Sequence, residues 1–375
     1  MKVLIIPDGF KDSLSAAQVT AAIKTGIQDA NPDTQLFELL ASDGGDGFLN
    51  VISHYKPHLN SISCQTTDPL GRELIAYYLY DMKAQAAYVE LAGASGIELL
   101  TQEERRVMET STLGTGTVLK NALHQGVKHI YLGLGGSATN DAGMGIAHAL
   151  GYRFLDVYGN ELEPCGGSLN LVAKIIKPEK NLLESVQLTA VNDVQNPLYG
   201  PEGAAYTYAK QKGASPLQMQ VLDSGLRHLD QQVAKFFGIS FGEVPGTGAA
   251  GGTAYGLKAF LNAEFKQGTP FMLELCGFHE ILEEHKIDLI ITGEGRIDHQ
   301  TKHGKLVSGV VSAAKPFKVP VYAVCGRNFL SDDEASDLGL AGIEQLYSPE
   351  QPEGYSFTNA PELAQQRAAT LINAL

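Results

Sequence analysis

The chain has 375 residues, of which 44% are hydrophobic and 19% charged, and its formal net charge is −14 at pH 7. This length is comfortable for two hydrophobic cores, and the composition is that of an ordinary globular protein. The acidic balance argues against partners such as nucleic acid or an anionic membrane, since the longest basic run is the pair Arg105 and Arg106.

The N-terminal segment alternates predicted strands and helices. The apolar run at 2–7 predicts a buried strand and is too short for a signal peptide. Residues 15–29 predict an amphipathic helix because their apolar residues recur at helical spacing, and a strand at 35–41 and a helix at 48–55 follow. This β-α-β-α order is typical of a parallel sheet.

The character of the chain then changes. Strand-like runs at 61–66, 73–80 and 86–91 predict a small antiparallel or mixed sheet. Further helices are predicted at 115–125, 141–150, 217–237, 252–265 and 360–375, and further strands at 129–132, 186–191, 288–292 and 319–324. We therefore predict an α/β protein with a parallel-sheet domain formed by residues 1–60 and 287–375, and a mixed α/β domain, residues 61–286, inserted in it.

Cysteine and glycine usage narrow the class of protein further. The four cysteines are far apart and show no Cys-x-x-Cys spacing, which indicates free thiols in a reducing compartment. No segment reaches about 18 uninterrupted apolar residues, so no membrane span is predicted and a cytoplasmic location is favoured. The 41 glycines cluster in loops, which is typical of α/β proteins with tight turns between strands and helices.

The loop GLGGSATND at 133–141 follows a predicted strand and carries a strong functional signal. A glycine loop between a strand and a helix presents free backbone N–H groups at the positive end of the helix, an arrangement that binds phosphate. The candidates for phosphate or substrate binding in this loop are Gly135, Gly136, Ser137, Asn140 and Asp141. The purely structural alternative is a tight turn capped by Ser137.

The loop GEGRIDHQTKHGK at 293–305 is too polar and too mixed in charge for a simple turn. We predict that Arg296 and Lys305 neutralise substrate charge, since arginine is suited to bidentate contact with carboxylate or phosphate, and that Glu294 contributes to substrate binding. His299 and His303 are spaced four residues apart but have no evident third ligand. They are interpreted as exposed rather than zinc-binding.

Two further loops follow the first two predicted strands. In PDGFKDS at 7–13, Lys11 is a candidate phosphate ligand, and the alternative is a solvated surface lysine. In SDGGDG at 42–47, Asp43 and Asp46 flank two glycines. Carboxylate oxygens suit Mg²⁺, so these two residues are the predicted metal ligands, and the alternative is an aspartate-rich turn.

The segment NDVQNP at 192–197 also follows a predicted strand. Asp193 is a candidate to accept the proton of a substrate hydroxyl, as the catalytic aspartate of protein kinases does, and Asn192 is a candidate for substrate binding. The alternative is a β-turn, which Asn-Pro favours. PGTGAAGGT at 245–253 lacks the lysine of a P-loop, which leaves a glycine-rich helix start that admits another backbone or an adenine nucleotide.

Nine segments in a fixed order, covering nearly the whole chain, resemble the bacterial glycerate kinase family that includes the glycerate 2-kinases. They are PDGFKDSLSA, ASDGGDG, ELAGASGIELL, TSTLGTG, GLGGSATNDAGMG, NDVQNPLYGPEGA, QKGAS, PGTGAAGGTAYGL and ITGEGRIDHQTKHGK. The sequence departs from the family pattern at Gly9, Asp12 and Asp46, where serine, glycine and glutamate are usual.

The resemblance implies that ATP and Mg²⁺ are the co-substrates and that D-glycerate is the acceptor, phosphorylated at the 2-hydroxyl rather than the 3-hydroxyl. It also implies two α/β domains, a Rossmann- or flavodoxin-like parallel-sheet domain and the mixed α/β domain inserted in it, with a cleft between them. For this reaction we predict catalytic roles for Lys11, Asp193, Arg296 and Lys305.

Two other classes of protein stay open at this point. A nicotinamide-dependent dehydrogenase of hydroxy acids would also be an acidic α/β protein, but it should carry the complete dinucleotide fingerprint, which the 245–253 segment lacks. A sensor that binds glycerate without turnover would need an output module, and neither a helix-turn-helix nor a basic face is evident. In all three classes the expected partners are small molecules.

Overall fold

The computed structural model describes residues 1–11, 13–42, 44–45, 47–299, 301, 305–352 and 354–375. The chain forms two compact units: unit 1 contains residues 1–43 and 267–375, and unit 2 contains residues 44–266. The domain boundaries at 60/61 and 286/287 stay a prediction, and the helix at 48–55 is counted with unit 2 in this division. The predicted α/β class is confirmed, with a five-stranded parallel sheet, a six-stranded mixed sheet and two pairs of short strands among the described residues.

The elements are numbered in chain order. The strands are β1 Lys2–Pro7, β2 Gln35–Glu38, β3 Asn60–Thr67, β4 Glu73–Asp81, β5 Ala86–Glu90, β6 His129–Gly133, β7 Arg153–Leu155, β8 Lys174–Ile176, β9 Gln187–Val191, β10 Glu264–Lys266, β11 Leu289–Gly293, β12 Arg296–Ile297, β13 Val321–Cys325, β14 Arg327–Asn328 and β15 Gly342–Gln345. The helices are α1 Ala16–Ala30, α2 Phe48–Tyr55, α3 Ala92–Ser95, α4 Leu113–His124, α5 Met144–Ala149, α6 Ala204–Tyr208, α7 Pro216–Phe237, α8 Ala249–Leu261, α9 Gly268–Leu275, α10 Phe278–Glu284, α11 Leu306–Ala314, α12 Asp332–Leu338, α13 Tyr355–Thr358 and α14 Ala360–Asn373.

Two predicted elements are clearly too long at their C-terminal ends, and the strand expected over 35–41 ends at Glu38. The helix expected over 252–265 ends at Leu261, because Asn262 takes a left-handed conformation with φ of 54° and closes α8. The residues that follow form β10, which pairs in parallel with β9. A three-residue strand of mixed polarity has no period of its own to distinguish it from the last turn of a helix.

Unit 1 is built on a five-stranded sheet of order β15-β13-β11-β1-β2 in which all neighbours are parallel. Numbered along the chain within unit 1, these strands follow the 2-1-3-4-5 order of flavodoxin-like folds. Unit 2 interrupts this order between the second and third strands. The strand order reverses between β1 and β11, and ligands of open α/β sheets bind beyond the carboxyl ends of the strands at such a point.

Both faces of the unit 1 sheet are covered. Val3, Ile5 and Ile291 share one buried cluster with α1 and α14, which pack against each other. The intervening residues Leu4 and Ile6 point the other way and are also fully buried. A sheet buried on both faces reads as a continuous apolar run, which is why the sequence KVLIIP predicted β1 correctly.

Unit 2 contains a six-stranded sheet of order β10-β9-β6-β5-β4-β3. The four strands from β10 to β5 are parallel, whereas β4 and β3 are antiparallel to their neighbours. Glu90, Gly133 and Val191 are aligned across β5, β6 and β9. The loops that follow these three strands therefore leave from one edge of the sheet.

Among the residues that the structure describes, no helix is both long and apolar enough to span a membrane.

Candidate functional site

The 133–141 loop leaves backbone amides open at the sheet edge of unit 2. Two backbone hydrogen bonds attach the loop to residues 95–97, from Ile97 N to Gly136 O at 2.7 Å and from Ala138 N to Ser95 O at 2.9 Å. The backbone amides of Gly135, Gly136 and Ser137 make no hydrogen bond to any described residue. Unpaired amides directly after a parallel strand suit an anion such as phosphate.

The side chain of Asn140 lies in the same loop and is fully buried. Neither its amide oxygen nor its amide nitrogen has a hydrogen-bond partner among the described residues. Leaving a buried polar group unpaired costs about 1–3 kcal/mol, so such groups normally have a partner, a bound water or a ligand. The amide of Asn140 is therefore a candidate ligand contact, and its role in binding substrate or phosphate stays a prediction.

Lys212 is a further candidate site residue that was not predicted from the sequence motifs. Its side chain is buried, with 3% of the residue exposed, and its Nζ donates to the carbonyl oxygen of Thr139 at 2.7 Å. An ammonium group therefore lies under the glycine loop and adds positive charge to it. The only sequence signal was its position in the QKGAS segment at 211–215 of the family resemblance.

Asp141 is saturated by internal hydrogen bonds. Its carboxylate accepts from Thr112 N at 2.8 Å, Thr112 Oγ1 at 2.7 Å, Gly143 N at 3.0 Å and Gly145 N at 3.1 Å. Complete burial raises the pKa of the Asp141 carboxyl, and these hydrogen bonds oppose that rise. The contacts join the starts of α4 and α5, so Asp141 positions the loop, and its contact with substrate stays a prediction.

The glycine-rich segment at 245–253 packs against the 133–141 loop. Ala250, Gly251 and Gly252 take consecutive left-handed conformations, with φ of 52°, 67° and 81°. A Cβ atom on Gly251 would lie 2.0 Å from the carbonyl oxygen of Thr139, so only glycine fits there. The sequence left open a close approach of another backbone, and the structure shows it. Of the three residues only Ala250 carries a side chain that disfavours this conformation, and strain of this kind concentrates at functional sites.

Asn192 and Asp193 lie at the same edge because β9 pairs with β6. Both are buried, and the Asn192 Oδ1 atom accepts from Val194 N at 3.1 Å. This contact is an Asx turn at residues 192–194, whereas no backbone hydrogen bond of a β-turn joins the described residues 192–197. The role of Asp193 as a base stays a prediction.

In unit 1, Glu294 and Lys305 form an ion pair directly after β11. The carboxylate of Glu294 accepts from Lys305 Nζ at 3.1 Å and from Thr301 Oγ1 at 2.8 Å. Glu294 is buried and Lys305 is half-buried. The two predicted site residues thus contact each other, and the charge of Lys305 is compensated within the protein.

Arg296 and Lys11 are both exposed at the carboxyl ends of β11 and β1. The Arg296 guanidinium pairs with Asp298 Oδ2 at 2.7 Å. The two loops approach closely, since a Cβ atom on Gly295 would lie 3.2 Å from the backbone nitrogen of Lys11. The structure therefore places Arg296 and Lys11 on neighbouring loops at the strand-order reversal of unit 1.

The predicted metal ligands Asp43 and Asp46 lie outside the described residues, as do Asp12, Gln300 and His303. The adjoining helix α2 is anchored by Glu90, whose carboxylate accepts from Gly47 N at 3.1 Å and Leu49 N at 3.0 Å. The part of the chain that is described contains no cluster of three or more histidine, cysteine, aspartate or glutamate side chains suited to a metal.

His299 is exposed, as predicted, and its Nδ1 atom lies 3.4 Å from a carboxylate oxygen of Glu334.

Glycine loops, open amides and clustered cations at the carboxyl ends of parallel strands define an α/β enzyme of anionic small molecules. The sequence model of the glycerate kinase family matches residues 3–375, and the chain belongs to that family. The predicted resemblance is thereby confirmed.

Individual relatives agree with the family assignment. The chain is 38% identical over 349 residues to the glycerate 2-kinase of Escherichia coli K12, which covers 93% of this chain and 90% of the relative. It is 36% identical over 369 residues to the glycerate kinase of Bacillus subtilis 168, covering 98% and 96%. A solved structure from Salmonella typhimurium LT2, assigned as glycerate kinase 2, is 34% identical, with a TM-score of 0.76 and coverage of 100% and 98%.

Proposed function

We propose that this glycerate kinase transfers the γ-phosphoryl group of ATP to the 2-hydroxyl of D-glycerate and releases ADP and 2-phosphoglycerate. The observation that carries the proposal is the 133–141 loop, where open amides and an unpaired buried Asn140 side chain adjoin Lys212. Such a loop supplies what phosphoryl transfer needs, since most of the catalysis is positioning and charge stabilisation. The glycerate 2-kinase name of the Escherichia coli relative supports the position of transfer.

In this proposal the open amides of the loop bind phosphate oxygens. The Asn140 amide nitrogen donates a further hydrogen bond, and the buried ammonium of Lys212 favours negative charge beside Thr139. Mg²⁺, when bound, neutralises charge on the transferring phosphates. Asp43 and Asp46 are the residues proposed to hold it, because carboxylate oxygens are suitable ligands for this ion.

The position of transfer follows from how glycerate is held. Arg296, in a bidentate contact with the carboxylate, fixes the adjacent C2 hydroxyl most firmly, whereas the C3 hydroxyl keeps one more free torsion. Asp193 acts as the base if its carboxylate reaches the C2 oxygen at about 2.6–3.2 Å.

Incubation of the purified protein with ATP, Mg²⁺ and D-glycerate tests the reaction, with ADP release as the readout. Omission of D-glycerate and its replacement by L-glycerate are the matched controls. Coupling between phosphorus and a single methine proton in the NMR spectrum of the product supports 2-phosphoglycerate. Coupling to a methylene pair shows 3-phosphoglycerate and rejects the proposed position, and no release of ADP above the control rejects the activity.

A further inference from the structure

Two arginines lie side by side beyond the main sheet of unit 1. Strands β12 and β14 form a short parallel pair in which Arg296 is aligned with Arg327. Residues that are directly aligned in a parallel pair place their side chains on the same face. Arg296 is among the site residues predicted from the sequence, whereas Arg327 is not.

Both guanidinium groups contact one aromatic ring. The central carbon of Arg296 lies 4.4 Å from the centroid of Phe329, and that of Arg327 lies 4.7 Å from the same centroid. Arg327 also lies over the ring of Tyr347, at 4.0 Å. Phe329 is itself 44% exposed, so this arrangement is at the surface of unit 1. Arg296 and Arg327 together form a guanidinium pair.

The two members of the guanidinium pair differ in how their charge is compensated. Arg296 is paired with Asp298, whereas the Arg327 side chain makes no ion pair or hydrogen bond to any described residue. Like charges held side by side repel each other, and the N–H groups of Arg327 remain available to a ligand. An anion bound between them would relieve the repulsion.

The guanidinium pair also lies where ligands of this fold class bind. Strand β12 follows β11 and β14 follows β13, and the backbone amides of Gly326 and Arg327 donate to the carbonyls of Glu294 and Gly295, at 3.2 Å and 3.1 Å. The pair is thus fixed beyond the carboxyl ends of two adjacent parallel strands.

We propose that Arg327 is a second anion-binding residue, which binds a substrate oxyanion together with Arg296. The oxyanion is the carboxylate of the hydroxy acid or a phosphate of the nucleotide, since both accept two parallel N–H donors from a guanidinium. Phe329 and Tyr347 hold the guanidinium of Arg327 in place before the ligand arrives, which lowers the ordering cost of binding. This inference rests on the proposed function for the identity of the two ligands.

Calorimetric titration of D-glycerate alone and of ADP alone tests the inference, with KM for each substrate measured in parallel. Arg327→Gln removes the charge, and Arg327→Lys keeps the charge but loses the fork and the stacking. We expect Arg327→Gln to weaken one of the two ligands about tenfold or more, with a smaller loss in Arg327→Lys. The ligand that weakens identifies the source of the oxyanion.

Arg367→Gln is the matched control, since Arg367 is another partly exposed arginine of unit 1 and lies 3.7 Å from Glu344. It should leave both affinities unchanged. Phe329→Leu tests separately the aromatic ring that both guanidinium groups contact. It should weaken the same ligand by a smaller factor and leave the circular dichroism spectrum unchanged. Wild-type affinity for both ligands in Arg327→Gln would overturn the inference. A wild-type protein that releases no ADP with D-glycerate would instead reject the proposed function.

Discussion

The buried ammonium of Lys212 holds the carbonyl oxygen of Thr139 at 2.7 Å. Thr139 precedes the unpaired Asn140, and its carbonyl also faces Gly251 of the second glycine-rich segment. One lysine therefore fixes the backbone at the point where two glycine-rich segments meet. Because the amides of the loop act only in the right orientation, this contact connects a buried charge to the proposed phosphate site.

Replacing Lys212 by methionine should reduce both stability and activity. The change leaves the Thr139 carbonyl with only the long contact from Ser137 Oγ at 3.4 Å. The lost donor should cost about 1–3 kcal/mol in the free energy of unfolding and should raise KM for ATP. Urea unfolding and steady-state kinetics measure the two effects. Lys210→Met is the control, because Lys210 lies two residues away and is exposed. Equal behaviour of the two variants would contradict the positioning role of Lys212.

Asn140→Leu tests whether the buried amide of Asn140 contacts a ligand or has no function in binding. Leucine has a similar shape and needs no hydrogen-bond partner, so the free energy of unfolding should be unchanged or higher. If the amide binds phosphate, kcat/KM for ATP should fall about tenfold or more at the same time. A variant that is more stable and fully active would show that the amide contacts no substrate.

Asp141→Asn should destabilise unit 2 by about 1–3 kcal/mol, because the new NH₂ group would face N–H donors of Thr112, Gly143 or Gly145. The free energy of unfolding from urea titration is the measurement. Asp156→Asn serves as the control, since Asp156 also accepts backbone N–H groups but is more exposed. A larger loss in the control would contradict the anchoring role of Asp141.

The stability conferred by Asp141 should also depend on pH. Burial raises the pKa of its carboxyl, so the folded protein binds this proton more readily than the unfolded chain. The part of the stability that is linked to this proton is complete below the unfolded pKa of about 3.9 and is lost as pH rises through the folded pKa, which leaves the part that comes from the hydrogen bonds. The difference in unfolding free energy between wild type and Asp141→Asn should therefore shrink from acid to neutral pH. A difference that grows with pH would contradict this direction.

Gly251→Ala should destabilise the protein far more than a glycine substitution with the same backbone strain. Gly238 has φ of 76° but open space at its Cβ position, whereas Gly251, with φ of 67°, faces Thr139 O at 2.0 Å. Gly238→Ala should cost about 1–2 kcal/mol, the usual price of a left-handed residue. Gly251→Ala should exceed this clearly in thermal or urea unfolding. Similar losses in both would mean that the two segments separate without cost.

Removal of divalent metal should abolish turnover, because ATP is polyanionic and the predicted ligands Asp43 and Asp46 are carboxylates. Activity should vanish in EDTA and return with excess Mg²⁺. Asp43→Asn and Asp46→Asn should each raise the Mg²⁺ concentration needed for half-maximal rate. Full turnover in EDTA would reject the metal requirement, and unchanged Mg²⁺ dependence would reject these ligands.

Most of the helices and strands that were predicted correctly are encoded by the pattern of apolar and polar residues within a short segment. The buried run of β1 and the capped, amphipathic α1 are determined within a few residues, and both were predicted. Strand β15, with the sequence GIEQ, was missed because it is short and only partly buried. The parallel pairing of β1 with β11 joins residues 286 apart, such as Val3 and Leu289, and no local period encodes it.

In the candidate site, too, features encoded by neighbouring residues were predicted, whereas contacts between distant residues were not. The sequence located the 133–141 loop, Asn140 and Arg296 because glycines, amides and cations cluster after apolar runs. It missed Lys212 and Arg327, since each owes its position to a partner that is distant in the chain: Thr139 for the first and Arg296 for the second. Apart from the position of Lys212 in the QKGAS segment, these basic residues carry no sequence signal, because their neighbours are known only from the fold.

The insertion of unit 2 between β2 and β11 has a consequence for synthesis on the ribosome. Residues 44–266 are continuous and can fold as they emerge, whereas β1 must wait for β11 before its second edge is paired. Until then the apolar strand KVLIIP has an open edge, which is a hazard for aggregation. We therefore expect nascent chains stalled before residue 289 to bind chaperones through their N-terminal strand, and full-length chains to release them.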